Sequence, residues 1–179
     1  MLGFLRGNRH ERTGYELYGA AVAAAREPYF YEQLGVPDTL DGRFDLVGLH
    51  VFLVIRALNR LPPPGTDLAQ AVFDAMFSDM DINLREMGVG DMSIAKKVKK
   101  MWEAFHGRAD AYEKALVSGD PAALPAALNR NVWRGSATDA QAATLACVVI
   151  AQDVALSRQS LAALAAGRVA FLPAAEAAR

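Results

Sequence analysis

Four of the chain's five lysines fall in one short window, at Lys96, Lys97, Lys99 and Lys100. On a helix advancing about 100° per residue, Ile94, Val98, Met101, Trp102 and Phe105 share an arc of about 100°, and the lysines spread over the opposite side. Such a face is either a solvated surface or a docking site for something anionic: lipid headgroups, ribosomal RNA or an acidic protein. Lysine in place of arginine favours diffuse attraction over bidentate recognition. The formal net charge is only −1, so the clustering carries the information and the total does not. Met80, Met87, Met92 and Met101 lie nearby in sequence. They either fill the core or edge an apolar groove, a use that suits their adaptable shape.

Other constellations are weaker. Asp79 and Asp81 look like a short metal-binding pair, but neighbours i and i+2 diverge by about 200° on a helix. Asp81 is placed to meet Arg85 one turn on, and Asp79 to face Asn83 and Glu86. Glu103 and His106 have the ExxH spacing of di-iron bundles. The remaining histidines, His10 and His50, follow Gly7 and Val47 at that spacing, so no second ExxH completes a site. His50 reads as a core histidine bonded to a loop carbonyl or to Asp41 or Asp45, with haem ligation by His50 or His106 as the alternative. Cys147, within Ala146 to Ile150, reads as a small core residue. Trp133 reads as a packing anchor. No Walker, Rossmann, nucleophile-elbow, HExxH or CxxC motif occurs.

These residues must be positioned by helices. Of 179 residues 53% are apolar, but much of that share is alanine, and mean hydropathy is only +0.10. No apolar run reaches the roughly 20 residues of a spanning helix. One cysteine excludes an intrachain disulfide framework, and near-zero charge argues against a DNA partner. The opening is too short for a signal-peptide core, so a cytoplasmic protein is expected. Strand-like alternation is almost absent, and the fold class is all-α: one bundle of about six to seven helices joined by short turns. Helices are expected over about 11–25, 29–34, 43–61, 67–87, 93–106 (continuing past Gly107 to 116), 121–129 and 139–166. The 43–61 helix, apolar on most sides, is expected to be central. Asp38 to Gly42 is expected to be a loop, Ser93 a cap, and Gly88 to Asp91 a turn. Residues 1–12 form a basic N-terminal segment, and residues 168–179 are expected to be a flexible alanine-rich tail.

Several strings taken together resemble the ubiquinol–cytochrome c chaperone family. They are Tyr29 to Tyr31, the GVPDTLDGRFD string from Gly35 to Asp45, Leu49 with His50, Phe77 to Asp81, the LREMGVGD string from Leu84 to Asp91, Lys96 to Lys99, and Asn129 to Asn131. The resemblance runs in consistent order from about Tyr15 to Trp133 and makes residues 13–167 the family-like domain. It implies an assembly factor and not an enzyme. Mitochondrial members associate peripherally with the inner membrane and assist newly made cytochrome b before it receives haem and joins complex III. They act with a small partner protein near the ribosomal exit. The chain reads as a compact, bacterial-type member without the long N-terminal extension of those proteins, working in the cytoplasm or at the cytoplasmic face of the inner membrane.

The expected client is cytochrome b or a related membrane subunit, with an anionic membrane surface, a small partner protein and the ribosome as further partners. No cofactor of its own is expected, and haem is met only through the client. The lysine face with Met87, Met92 and Met101 is the expected client or membrane contact. Asp38, Asp41, Arg43, Asp45, His50, Asp79, Asp81, Arg85, Gly88, Gly90 and Asp91 are expected to organise the fold or face a partner. The alternatives are a haem-handling helical bundle and an interaction module unrelated to respiration.

Overall fold

The computed structural model describes the backbone of residues 4–179 and the side chains of residues 10–91 and 93–179. Among the described residues nine helices follow one another: α1 Phe4–Ala25, α2 Pro28–Glu32, α3 Leu40–Asn59, α4 Gly65–Glu86, α5 Asp91–Val117, α6 Ala123–Val132, α7 Asp139–Ser157, α8 Leu161–Ala165 and α9 Ala174–Ala177. Among the described residues no strand occurs. The segment read as a basic N-terminal extension is helical from Phe4 onward, as the start of α1.

Caps account for most of the boundary differences. Thr39, extended, accepts a hydrogen bond from the Gly42 N–H at 3.1 Å. It therefore starts α3 early and draws Asp41 and Gly42 out of the expected loop into the first turn. Gly42 is required there: a Cβ would lie 2.0 Å from the Pro37 carbonyl oxygen. Gly90 takes the cap position expected of Ser93, so Asp91 opens α5. Gly107 does not interrupt α5. The helix expected over 139–166 is two helices. Thr138 and Gln141 form a capping box at the start of α7. After Ser157 the polar run Ser157 to Ser160 turns the chain, and Ser160 caps α8.

Helix α3 is the hub. It packs on α1, α4, α5, α6 and α7, and Leu46, Leu49, Val51, Leu53, Val54 and Leu58 are buried along it. Its charged residues are handled by partners. Arg56, almost wholly buried, pairs with Glu113 of α5 at 2.7 Å and Asp153 of α7 at 3.4 Å. His50 is also in the core, between the rings of Phe30 and Phe171 with centroids 5.4 Å away on each side. Its Nδ1–H donates to the Leu46 carbonyl at 2.8 Å, so its partner belongs to its own helix and is neither a loop carbonyl nor Asp41 or Asp45. Burial holds its pKa down at about 4.

Three expectations change. Trp102, placed by its arc among the buried residues of α5, is 46% exposed and lies on His106, centroids 4.0 Å apart. It stands about 60° around the helix from Phe105, at the edge of the arc. Cys147 is exposed, because α7 is apolar around its circumference and turns Ala143, Cys147, Ile150 and Val154 away from the core. By length and composition α7 alone among the described helices could cross a membrane; here Leu145, Val148, Val149 and Leu156 are buried in the bundle.

Third, the alanine-rich tail is docked. The buried side chain of Gln152 donates to the Leu172 carbonyl at 2.7 Å and accepts from the Leu172 N–H at 2.9 Å. Glu27 accepts the Ala174 N–H at 2.9 Å, and Ala174 and Ala177 are buried against the bundle. Small side chains let this backbone approach closely.

Two outcomes test this core. Gln152→Ala strips two hydrogen bonds from the half-buried Leu172 backbone and should lower unfolding free energy by about 1–3 kcal/mol in urea titration; an unchanged midpoint would show that the tail is not held. For His50, the unfolded ring binds its proton below pH 6.5 and the folded ring only below about 4. Stability should therefore fall by about 3 kcal/mol as pH drops through that window. His50→Leu should lack this component when the two pH profiles are compared.

Candidate functional site

Two of the family-like strings are turns, and each is held by a specific set of contacts. In the first, Gly35 adopts φ +64° and its carbonyl accepts the Trp133 Nε1–H at 3.1 Å. The Leu34 carbonyl accepts from Gln141 at 3.0 Å. Trp133 is thus a buried anchor, tying this turn to the end of α6. Asn129 clamps the following loop through Ala137, accepting its N–H at 3.1 Å and donating to its carbonyl at 3.3 Å. Arg43 donates to Asp38 at 2.6 Å, and this exposed contact holds the Asp38 carboxyl below its ordinary range. The product of all this is the position of one carboxylate. Asp45 sits buried on α3, paired with Arg108 of α5 through Oδ1 and with Arg134 of the loop after α6 through Oδ2, at 2.6 Å.

Burial pushes the Asp45 carboxyl up, and the arginines pull against it, Arg108 most. Arg134 reaches Asp45 from a left-handed backbone, φ 57°, a conformation that costs an arginine on the order of 1 kcal/mol. Its guanidinium also donates to the Asn131 carbonyl. Beside this cluster the Tyr112 hydroxyl is buried, which pushes its pKa up to about 12. The guanidinium of Arg108 lies over the Phe44 ring, 5.7 Å from its centroid, in the range of a cation–π contact.

The second turn joins α4 to α5. Gly88 ends α4 in a left-handed conformation, φ +76°, and the Val89 N–H returns to the Leu84 carbonyl at 3.1 Å. Arg85 spans the turn: Nε donates to Asp81 at 2.6 Å and a terminal nitrogen to Asp91 at 2.7 Å. The Asp81–Arg85 contact is the one that helical spacing predicts. Asp79 does not face Glu86; its carboxylate accepts the Tyr18 hydroxyl of α1 at 2.7 Å, and Asn83 donates to its backbone carbonyl.

Between α3, α4 and α5 lies a groove of about 360 Å³. From α3 come Leu40, Asp41, Phe44 and Asp45, from α4 Leu84, from α5 Lys97, Lys100, Met101, Ala104 and Arg108, and from the loop Arg134. The floor is apolar and the edge charged. Leu40 is 64% exposed over it. The lysine window is thereby divided. Lys97 and Lys100 line the groove, while Lys96 and Lys99 do not, and Lys99 turns to Glu103 at 3.9 Å. The methionines are divided too. Met101 lines the groove, Met80 is buried in the core, and Met87 is 61% exposed at the end of α4, outside the lining. Met92 lies outside the described side chains. Asp41 and Asp45 line the groove; Asp38, Arg43, His50, Asp79, Asp81, Arg85, Gly88, Gly90 and Asp91 do not.

Leu40, Phe44, Leu84, Ala104, Arg108 and Arg134 were not expected at a site. For α5 a signal existed. Residues 97, 100, 101, 104 and 108 follow the i, i+3, i+4, i+7, i+11 rule of one helical stripe, mixing lysine, methionine, alanine and arginine where an apolar-only search sees nothing. Arg134 had no such signal. Among the described residues no group of three His, Cys, Asp or Glu could hold a metal.

The sequence matches the family described as Ubiquinol-cytochrome C chaperone over residues 32–171. It is similar to Ubiquinol-cytochrome-c reductase complex assembly factor 1 of Xenopus laevis, 24% identical over 123 residues, with 69% of this chain and 61% of the relative covered. It is also similar to Protein CBP3, mitochondrial, of Saccharomyces cerevisiae, 28% identical over 150 residues, with 81% and 44% covered. The chain thus spans 61% and 44% of the length of these curated relatives. Among solved structures, the Cbp3 homolog from Brucella abortus superposes with a TM-score of 0.83 at 37% identity, covering 94% of this chain and 93% of that one.

The buried carboxylate should be the costliest charge in the site to alter. Asp45→Asn leaves Arg108 without its buried counter-ion and should destabilise the fold by about 3 kcal/mol. Arg134→Ala, at a half-exposed position, should cost much less. Chemical denaturation of the two variants checks the order; equal losses would show that Asp45 is not the keystone.

Proposed function

Because the chain belongs to the ubiquinol–cytochrome c chaperone family, we propose that it is an assembly chaperone for ubiquinol–cytochrome c reductase. It holds a newly made hydrophobic membrane subunit, cytochrome b, in the groove between α3, α4 and α5. One observation supports this placement above others: both family strings contribute to that groove, one through Leu40, Asp41, Phe44 and Asp45 and the other through Leu84, and neither builds a catalytic constellation. The groove suits a binding role. Its floor is apolar, as a membrane subunit's surface is, and a few polar groups at the edge give direction.

On this reading the chain binds and does not catalyse, and haem reaches it only through its client. The exposed lysines at the edge bring the groove to an anionic membrane surface, where such a client emerges. A small partner protein and the ribosome are further partners proposed on the family likeness.

Deleting the gene in the native organism and measuring cytochrome b and assembled complex III tests the role. Both should fall, and the wild-type gene should restore them. Ala104→Arg, which fills the groove from a partly exposed position on α5, should fold normally by circular dichroism and yet fail to complement. Undiminished cytochrome b in the deletion strain would overturn the role. Full complementation by Ala104→Arg would overturn the site.

A further inference from the structure

The two long walls of the groove carry opposite charge. On the α5 side stand Lys97 and Lys100, one helical turn apart; on the α3 side stands Asp41, in that helix's first turn. Among the described residues none of these three is in an ion pair. The other charged groups of the groove are committed: Arg108 and Arg134 to Asp45, and Arg108 also to the face of Phe44. Other surface charges nearby are paired, Lys99 with Glu103 and Arg85 with Asp81 and Asp91. Asp41, Lys97 and Lys100 thus line one groove, from different helices, over an apolar floor.

We propose that the occupant is an amphipathic helical segment of the client with acid on one flank and base on the other. This rests on the reading of the groove as the client site and says what the client must look like there. An apolar stripe lies on Phe44, Leu84 and Met101. Acidic side chains one turn apart on one flank meet Lys97 and Lys100, which are about 4.5 Å apart along the helix axis. A lysine or arginine on the opposite flank meets Asp41. Charge of both signs fixes the direction in which the segment lies, where an apolar groove alone accepts either. A phospholipid fits less well: its phosphate satisfies the lysines but brings its charge toward Asp41 and Asp45. The volume takes a few side chains and not a pair of acyl chains.

The test uses the full chain and fluorescein-labelled synthetic peptides of about 18 residues, about five helical turns. All share one Leu/Ala stripe; one has Glu on one flank and Lys on the other, one has Lys on both, one has Glu on both. The Glu/Lys peptide should bind at least about tenfold more tightly than the Lys/Lys peptide, with Glu/Glu between them because of Asp41. In the K97E/K100E variant the order of Glu/Lys and Lys/Lys should reverse, and Ala104→Arg should weaken all three. Equal affinities, or an order unchanged by the double reversal, would overturn the proposal. So would binding to phosphatidylglycerol-containing vesicles that depends on Lys97 and Lys100 while none of the peptides binds. Loss of cytochrome b in the deletion strain with no peptide selectivity sinks this inference alone. Selective peptide binding with normal cytochrome b sinks the assembly role and leaves the groove's chemistry standing.

Discussion

The arrangement depends on one buried carboxylate. Asp45 on α3 faces Arg108 on α5 and Arg134 in the loop after α6, so a single side chain fixes the spacing of three elements. A buried ion cluster of this kind adds little net stability over an apolar substitute of the same shape. What it supplies here is position. Apolar contacts between α3 and α5 permit sliding and rotation by part of a turn, whereas a carboxylate gripped from two directions permits one register. The groove is the space that this register leaves between the helices, and its shape follows from the grip. The GVPDTLDGRFD string can be read in that light: a left-handed glycine, a capping threonine and a glycine packed on a carbonyl, all directed at the depth and orientation of its last residue.

The second turn acts by a different rule. Arg85 reaches backward to Asp81 and forward to Asp91 across a left-handed glycine, and all three side chains are accessible to solvent. This contact sets the angle at which α5 leaves α4 without burying charge. One turn is locked from inside and the other guyed from outside, and the groove lies among the helices that they join.

Much of the fold was legible because helical period, prolines and glycines are local signals. The central place of α3 followed from its apolar circumference, and the end of α4 from its glycines. What was not legible depended on where neighbours lie. In α7, apolar on every side, period could not choose the wet stripe, and Cys147 was assigned inward. For α5 the arc was correct in direction, but Trp102 at its margin is half-exposed and lies on His106. The tail was misread for a related reason: alanine has no side chain to advertise a binding partner, and the groups that hold Leu172 and Ala174 are Gln152 and Glu27, far away in sequence. At the site, the lysine cluster was visible, but its division into a groove-facing pair and an outward pair required knowing that Asp45 turns the Arg108 edge of α5 inward. The methionines were grouped by residue type, and the packing separated them.

The setting of His50 bears on the order in which the molecule is completed. Phe30 and Phe171 close on the imidazole from opposite ends of the domain. A chain emerging from the ribosome can form α1 to α4 while one side of that ring is still open to water. Until Phe171 arrives the imidazole lacks one of its two flanking rings. The surroundings of this ring are therefore complete only once the end of the chain has been made.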